Sequence, residues 1–232
     1  MRLRPLVRCL TPISLIASLA LACGCGGGGG GGGGITNPPP PDTGPVANSP
    51  ANVVRLLEWA YEHRDTLRHR ELFTSDYVFQ CSPTGSAGDG DLDRTEETIV
   101  ARHLFVGGGV EPPASSIELN IDPTPQVLDD SRPGRNPTWH KEVITNVDLT
   151  VAVGGDDYRI AGRGRFFVVR GDSAQLPADL VARGFTADPG RWYIEEWDDE
   201  TDIAIPAASA RPAGITLTRN ATWCQLKFLY LP

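Results

Sequence analysis

The sequence has little positive charge and almost no lysine. Of its 232 residues, 29 are acidic and 21 are basic, which gives a net charge of −8. Lys141 and Lys227 are the only lysines. Proteins that bind DNA, RNA or anionic lipid through charge need a basic face. The acidic balance therefore argues against nucleic acid as a partner.

Long apolar segments are also missing. A transmembrane helix needs about 20 apolar residues, whereas the apolar stretch at residues 10–22 has thirteen, with threonine, proline and serine among them. Three arginines precede this stretch. A positive start followed by a short apolar run predicts a secretory signal peptide over residues 1–22.

The end of this segment, Leu19-Ala20-Leu21-Ala22-Cys23, resembles the lipobox of bacterial lipoproteins. The resemblance implies that Cys23 receives a diacylglycerol group and becomes the mature N-terminus, although Ala20 stands where that family usually has leucine. Gly24 in the next position implies the outer membrane. We therefore expect a chain anchored by lipid in the bacterial cell envelope and facing the periplasm. The alternative is an ordinary cleaved secretory signal with incidental cysteines.

A linker follows the predicted anchor. Residues 26–34 are nine consecutive glycines, and residues 38–41 are four prolines. Glycine runs are flexible and proline runs are stiffer and extended, so neither builds a core. We assign residues 23–48 to a tether.

The usual motifs for catalysis and metal binding are absent. The sequence has no G-x-S-x-G, P-loop or dinucleotide-binding motif. Its four histidines have no zinc-ligand spacing with cysteine or acid. The segment Asp89-Gly90-Asp91-Leu92-Asp93 begins like a calcium loop, but Arg94 and Val100 stand where that loop requires glycine and glutamate. We therefore predict no metal and no cofactor.

Residue patterns predict two helices, a strand, a third helix and then four strands. Capping residues and apolar spacing predict helices over residues 50–64, 66–73 and 94–105, the last with Ile99, Val100, His103 and Leu104 on its apolar face. Alternating apolar residues predict strands over residues 77–81, 117–121, 142–153, 158–170 and 191–200. These elements define a domain over residues 49–200, with a tail over residues 201–232 that packs on it.

This order of elements resembles the nuclear transport factor 2-like superfamily, also called SnoaL-like or cystatin-like α+β. The closing strand Trp192-Tyr193-Ile194-Glu195-Glu196-Trp197 looks like the W-x-I-x-x-W-x-D ending of that superfamily. The resemblance implies an α+β fold in which a curved antiparallel sheet wraps around two to three N-terminal helices to form a cone. Gly162 and Gly164 lie where such a sheet would bend.

The resemblance also implies an apolar pocket inside the cone. The candidate lining residues are Tyr61, Tyr77, Phe79, His103 and Trp192. Enzymes of this superfamily use an aspartate base with a tyrosine or acid as hydrogen-bond donor. The acids of the long strands, Glu142 and Asp148, fall on the alternation opposite to the apolar face. We therefore assign no catalytic residue.

Cys81 and Cys224 are the two cysteines of the folded region. In an oxidising envelope compartment they are candidates for a disulfide that would tie the tail to the first strand. The alternative is two buried free thiols.

Three functional hypotheses remain open from the sequence. The first is a lipid-anchored, non-catalytic binding or interaction module for a small apolar ligand or a protein partner. The second is a small-molecule isomerase or cyclase of the ketosteroid isomerase or SnoaL type. The third is a structural subunit that forms a homodimer through the outer face of its sheet.

Overall fold

The computed structural model describes residues 44–81, 90–171, 176–202 and 218–232. The predicted signal peptide at residues 1–22, the lipid-attachment residue Cys23 and the glycine run lie outside the described residues.

Within the described residues the chain forms five helices and eight strands. The helices are α1 (Pro50–Glu62), α2 (Thr66–Arg70), α3 (Arg94–Val106), α4 (Ala178–Ala182) and α5 (Trp223–Leu229). The strands are β1 (Phe73–Cys81), β2 (Leu92–Asp93), β3 (Ser116–Ile121), β4 (Gln126–Asp129), β5 (His140–Val153), β6 (Asp156–Gly171), β7 (Asp188–Asp202) and β8 (Thr218–Asn220). The second helix is therefore shorter than predicted, because the chain enters β1 at Phe73.

All these strands belong to one mixed sheet. The strand order is β2-β1-β7-β6-β5-β3, while β4 also pairs with β5 and β8 with β6. The long central strands are antiparallel, but β1 runs parallel to β7 and β8 runs parallel to β6. The predicted α+β class with a curved sheet and few helices is confirmed. The antiparallel pairing expected for the long strands holds for β3, β5, β6 and β7, whereas β1 and β8 add parallel pairs that residue alternation does not reveal.

Two local features accompany the curvature of the sheet. Glu195 is an extra residue in the ladder between β6 and β7, and such a bulge bends and twists a strand. At Gly164, an added Cβ would come within 3.0 Å of a ring carbon of Phe166. Glycine at this position lets the ring lie against the strand.

The concave face of the sheet packs against the helices. Its buried side chains are Val143, Val147, Leu149, Val151, Ile160, Phe166, Val168, Ile194 and Trp197. Helix α1 begins at the cap residue Ser49, whose side chain accepts a hydrogen bond from the Asn52 N–H. Helix α3 begins with the predicted capping box of Asp93 and Glu96. These caps fix where the two long helices cross the sheet.

Helix α5 was not predicted as a helix. Thr222 caps its first turn, and the Gln225 side chain completes a capping box. The stretch Thr222-Trp223-Cys224-Gln225 carries this signature in the sequence. We expected only that the tail packs on the domain, and the structure instead places a buried helix there.

The N-terminal edge of the domain includes residues that were assigned to the tether. Ala47 is buried, and its carbonyl accepts a hydrogen bond from the Trp192 N–H.

Among the helices in the described part of the chain, none has the length and apolarity needed to cross a bilayer.

Candidate functional site

Three ionisable side chains from different helices meet inside the domain. His69 of α2, Glu97 of α3 and Lys227 of α5 are each at most 1% exposed. The Lys227 Nζ lies 2.5 Å from the Glu97 Oε2. The His69 Nε2 lies 3.5 Å from the Glu97 Oε1. We call these three residues the interior cluster.

Two aromatic rings surround the ammonium group of the interior cluster. The Lys227 Nζ lies 3.3 Å from the ring centroid of Phe79 and 4.2 Å from that of Trp197. Both rings are buried, on β1 and β7 respectively. A cation over an aromatic face is attracted by the negative face of the ring, most strongly where water is excluded. The rings and the Glu97 carboxylate together form a cage for the ammonium group.

Two tyrosines lie beside the same cluster. The Tyr61 hydroxyl accepts a hydrogen bond from the Trp223 Nε1 at 3.4 Å. Burial, and next the nearby Glu97 carboxylate, raise the pKa values of Tyr61 and Tyr77 well above the ordinary value of 10.0. Both phenols are therefore neutral at physiological pH and can donate a hydrogen bond.

The charges of the cluster follow from burial and contact. Burial lowers the pKa of Lys227 to about 8, against the opposing effect of Glu97. Burial would raise the pKa of Glu97, but the Lys227 charge and then His69 outweigh it, so that this pKa is lowered. Burial also lowers the pKa of His69. At neutral pH the cluster is therefore a Glu97–Lys227 ion pair next to a neutral imidazole.

The site has more hydrogen-bonding capacity than its own residues use. Within the described residues, four buried polar atoms of this region lack a hydrogen-bond partner. They are the Tyr77 hydroxyl, the Glu97 Oε1 and both ring nitrogens of His69. Leaving a buried polar group unpaired costs about 1–3 kcal/mol. These atoms are suited to water or to a polar ligand.

Helix α5 is held in the interior by a disulfide and by hydrogen bonds. Cys224 forms a disulfide with Cys81 of β1, with 5.7 Å between the Cα atoms. The Asp199 carboxylate accepts a hydrogen bond from the Cys224 N–H at 3.0 Å. At the other end of the helix, the Tyr230 hydroxyl donates to the Pro112 carbonyl at 3.0 Å. The helix is thus fixed at both ends.

The structure brings some of the predicted lining residues together and separates others. Tyr61, Tyr77 and Phe79 surround the interior cluster. His103 does not join them, because it is half-buried at the end of α3, where its Nδ1 lies 2.8 Å from the Tyr230 carbonyl oxygen. Trp192 lies near the start of β7, beside Ala47.

Sequence reasoning missed Glu97, His69 and Lys227. No buried carboxylate was identified from the sequence, whereas Glu97 is fully buried in the structure. The sequence does indicate that Glu97 is buried, because Glu97 lies on the same helical face as Val100 and Leu104. His69 follows no such pattern, and its burial depends on how α2 packs.

The acidic residues of β7 are mostly paired on the outer face. Glu200 contacts Arg163 and Arg165 of the neighbouring strand β6. Arg159, also on β6, pairs with Asp148 of β5 at 2.7 Å. These contacts are partly exposed, and each such pair contributes about 0–1 kcal/mol.

Another part of the outer face depends on Arg132, which the sequence did not single out. Its guanidinium contacts Asp130 at 2.7 Å, Glu195 at 2.9 Å and also Glu196. It lies 3.8 Å from the ring centroid of Phe167. This network attaches the segment between β4 and β5 to the sheet, so we interpret it as structural.

No metal centre was found in the part of the chain that the structure describes. None of its groups of His, Cys, Asp and Glu places three or more candidate ligands around one point.

An open groove of about 570 Å³ lies beside β3, β5 and β6. Two of its acids already have partners, since Asp148 binds Arg159 and Asp122 accepts from Thr124.

Comparison with known proteins gives similarity at the level of solved structures. A putative scytalone dehydratase from Novosphingobium aromaticivorans is 12% identical, with 71% of this chain and 90% of that chain covered and a TM-score of 0.45. A nuclear transport factor 2-like superfamily protein from Salmonella enterica serovar Typhimurium is 12% identical, with coverages of 71% and 94% and a TM-score of 0.42. A ketosteroid isomerase-like protein from Erwinia carotovora atroseptica is 13% identical, with coverages of 63% and 88% and a TM-score of 0.39.

These similarities concern the fold and do not assign an activity. No protein-family model matches the sequence, and the search of curated proteins also gave no match.

Proposed function

We propose that this chain is a lipid-anchored, non-catalytic binding or interaction module of the bacterial cell envelope, attached to the outer membrane through Cys23. The observation that carries the non-catalytic part is the position of α5. This helix places Lys227 against Glu97, which is the acid that a substrate in the interior would have to reach.

Catalysis in the interior would require access to the reacting groups. A general base must come within hydrogen-bond reach of the proton that it removes. Here Glu97 and His69 have no exposed surface, and Lys227 already occupies one carboxylate oxygen. A disulfide holds the covering helix to β1. This arrangement favours a role for the domain surface over turnover in the interior.

The disulfide also supports the proposed compartment. Disulfides persist in oxidising environments such as the periplasm and are rare in the cytosol. A bond between Cys81 and Cys224 agrees with export by the signal peptide. The part of the tether that precedes Ala47 would then separate the domain from the membrane.

The second candidate is the isomerase or cyclase hypothesis, which one contact favours. Glu97 and His69 lie 3.5 Å apart, and the Glu97 carboxylate is close enough to Tyr77 to raise the pKa of that phenol, so a carboxylate, an imidazole and a phenol share one region. Such groups can transfer protons between carbon and oxygen. This candidate requires α5 to leave the interior during each turnover.

The anchor is tested by metabolic labelling with a radioactive fatty acid in a bacterium that processes lipoproteins. We expect the wild-type chain to incorporate label and Cys23→Ala to lose it. Cys25→Ala is the matched control, because the preceding segment Ala22-Cys23-Gly24 is a poorer lipobox than the one before Cys23. This variant should retain the label. Labelling that persists in Cys23→Ala would contradict the proposed anchor.

A further inference from the structure

We propose that Phe79, Trp197 and Glu97 form a binding site for a primary alkylammonium ion, which the side chain of Lys227 occupies in this structure. The inference goes beyond the proposed anchoring and interaction role. It assigns a ligand class to the interior of the domain.

The cage has the chemistry that an ammonium group requires. A carboxylate oxygen lies 2.5 Å from the Nζ, and two aromatic ring centroids lie 3.3 Å and 4.2 Å from it. A charged hydrogen bond combined with aromatic faces is a recurring solution for binding organic ammonium ions. An apolar isostere of lysine could fill the same volume, but it would leave the Glu97 charge without a partner.

The cage is built by residues that do not belong to α5. Phe79 lies on β1, Trp197 on β7 and Glu97 on α3. All three are buried, and Glu97 carries its second oxygen, Oε1, without a hydrogen-bond partner among the described residues. A primary alkylammonium ion has the same three N–H donors as lysine, but its position is not fixed by attachment to α5. It could therefore direct these donors to groups in this region that the tethered lysine leaves unpaired.

Lys227 acts as a ligand in cis. Its helix is attached to the cage by the disulfide at Cys224, one helical turn before Lys227. A short tether raises the effective concentration of a bound group to about the millimolar range. An external amine must compete with this concentration, so the site is closed to weak ligands while α5 is docked.

The test removes the internal ligand and supplies an external one. Lys227→Ala, made in the full chain, deletes a three-carbon ammonium group that matches n-propylammonium. We expect n-propylammonium to raise the melting temperature of Lys227→Ala in a saturable way at neutral pH. It should leave the melting temperature of the oxidised wild-type chain unchanged.

Two controls separate ammonium recognition from the filling of an apolar cavity. The neutral analogue n-propanol should bind Lys227→Ala about tenfold more weakly or worse, because it lacks the charge that the rings and carboxylate attract. The double variant Glu97→Gln/Lys227→Ala should lose the preference for the amine over the alcohol. Equal stabilisation by the amine and the alcohol, or no stabilisation by the amine, would overturn the proposal.

A second variant covers the case in which Lys227→Ala does not fold. Cys224→Ser removes the disulfide but keeps Lys227, so that an external amine competes with a more weakly held helix. We expect n-propylammonium, but not n-propanol, to increase hydrogen exchange at the amides of residues 223–229. Exchange that is insensitive to the amine would overturn the proposal. The lipid attached to Cys23 is measured separately, so this failure leaves the anchor proposal standing.

Discussion

Asp198 shows how a single residue on the outer face reduces stability at neutral pH. Burial first, and then the nearby charge of Glu196, raise the pKa of Asp198 from 3.8 to about 6. Its Oδ1 is buried without a hydrogen-bond partner among the described residues. Between pH 4 and 6 the folded state therefore binds more protons than the unfolded state. Stability consequently falls as the pH rises through this window, and the loss is complete above pH 6.

We therefore expect Asp198→Asn to stabilise the domain at pH 7. The gain is on the order of 1 kcal/mol, since solvent screens this partly exposed side chain. Urea unfolding at several pH values measures it, and the gain should disappear as the pH approaches 4. Asp148→Asn, on the same face but paired with Arg159, is the control and should show no gain. A gain that is independent of pH would contradict this assignment.

For single residues, the sequence predicted the burial of aromatic side chains but not the burial of charged side chains. Tyr61, Tyr77 and Phe79 follow apolar patterns and were found. Lys227 was missed because nothing local indicates that a lysine is buried. Its burial depends on a carboxylate 130 positions away in the chain. Such a pair exists only once the fold has brought the two residues together.

Helix α5 is the element on which the account depends. It has seven residues, so its own hydrogen bonds cannot make it stable in isolation. Its stability comes from burial of Trp223, Leu226 and Lys227, and from the disulfide at Cys224. The capping box was visible in the sequence, whereas the docking position of α5 was not. The Ser, Pro and Ala residues that precede the helix in the sequence do not indicate how far from the sheet it lies.

Reduction of the disulfide is expected to destabilise the domain. The bond joins residues separated by 143 positions, and disulfides that close long loops contribute about 2–5 kcal/mol. We expect reductant to lower the urea midpoint of the wild-type chain. The double variant Cys81→Ala/Cys224→Ala should have a low midpoint that reductant does not change. Alkylation of the denatured chain that adds the same mass with and without prior reduction would show that the bond does not form.

For the whole molecule, the sequence predicted the fold class and the order of the long elements, but not β2, β4, β8 and α5. The long strands β5, β6 and β7 and the helices α1 and α3 were found within a few residues of their ends. The parallel pairing of β1 with β7 was not predicted, because it joins strands that are distant in the chain. The interior cluster was not predicted for the same reason, because its residues belong to three separate helices, α2, α3 and α5.

In the oxidised protein, α5 closes the interior of the domain. Hydrogen exchange with mass-spectrometric detection, carried out on the oxidised full chain without added ligand, tests this closure. We expect the amides of residues 223–229 to exchange only through global unfolding, at the rate of the central strand β6. Exchange of α5 that is orders of magnitude faster than that of β6 would show an interior that opens readily, and it would favour the enzyme hypothesis over a closed binding module.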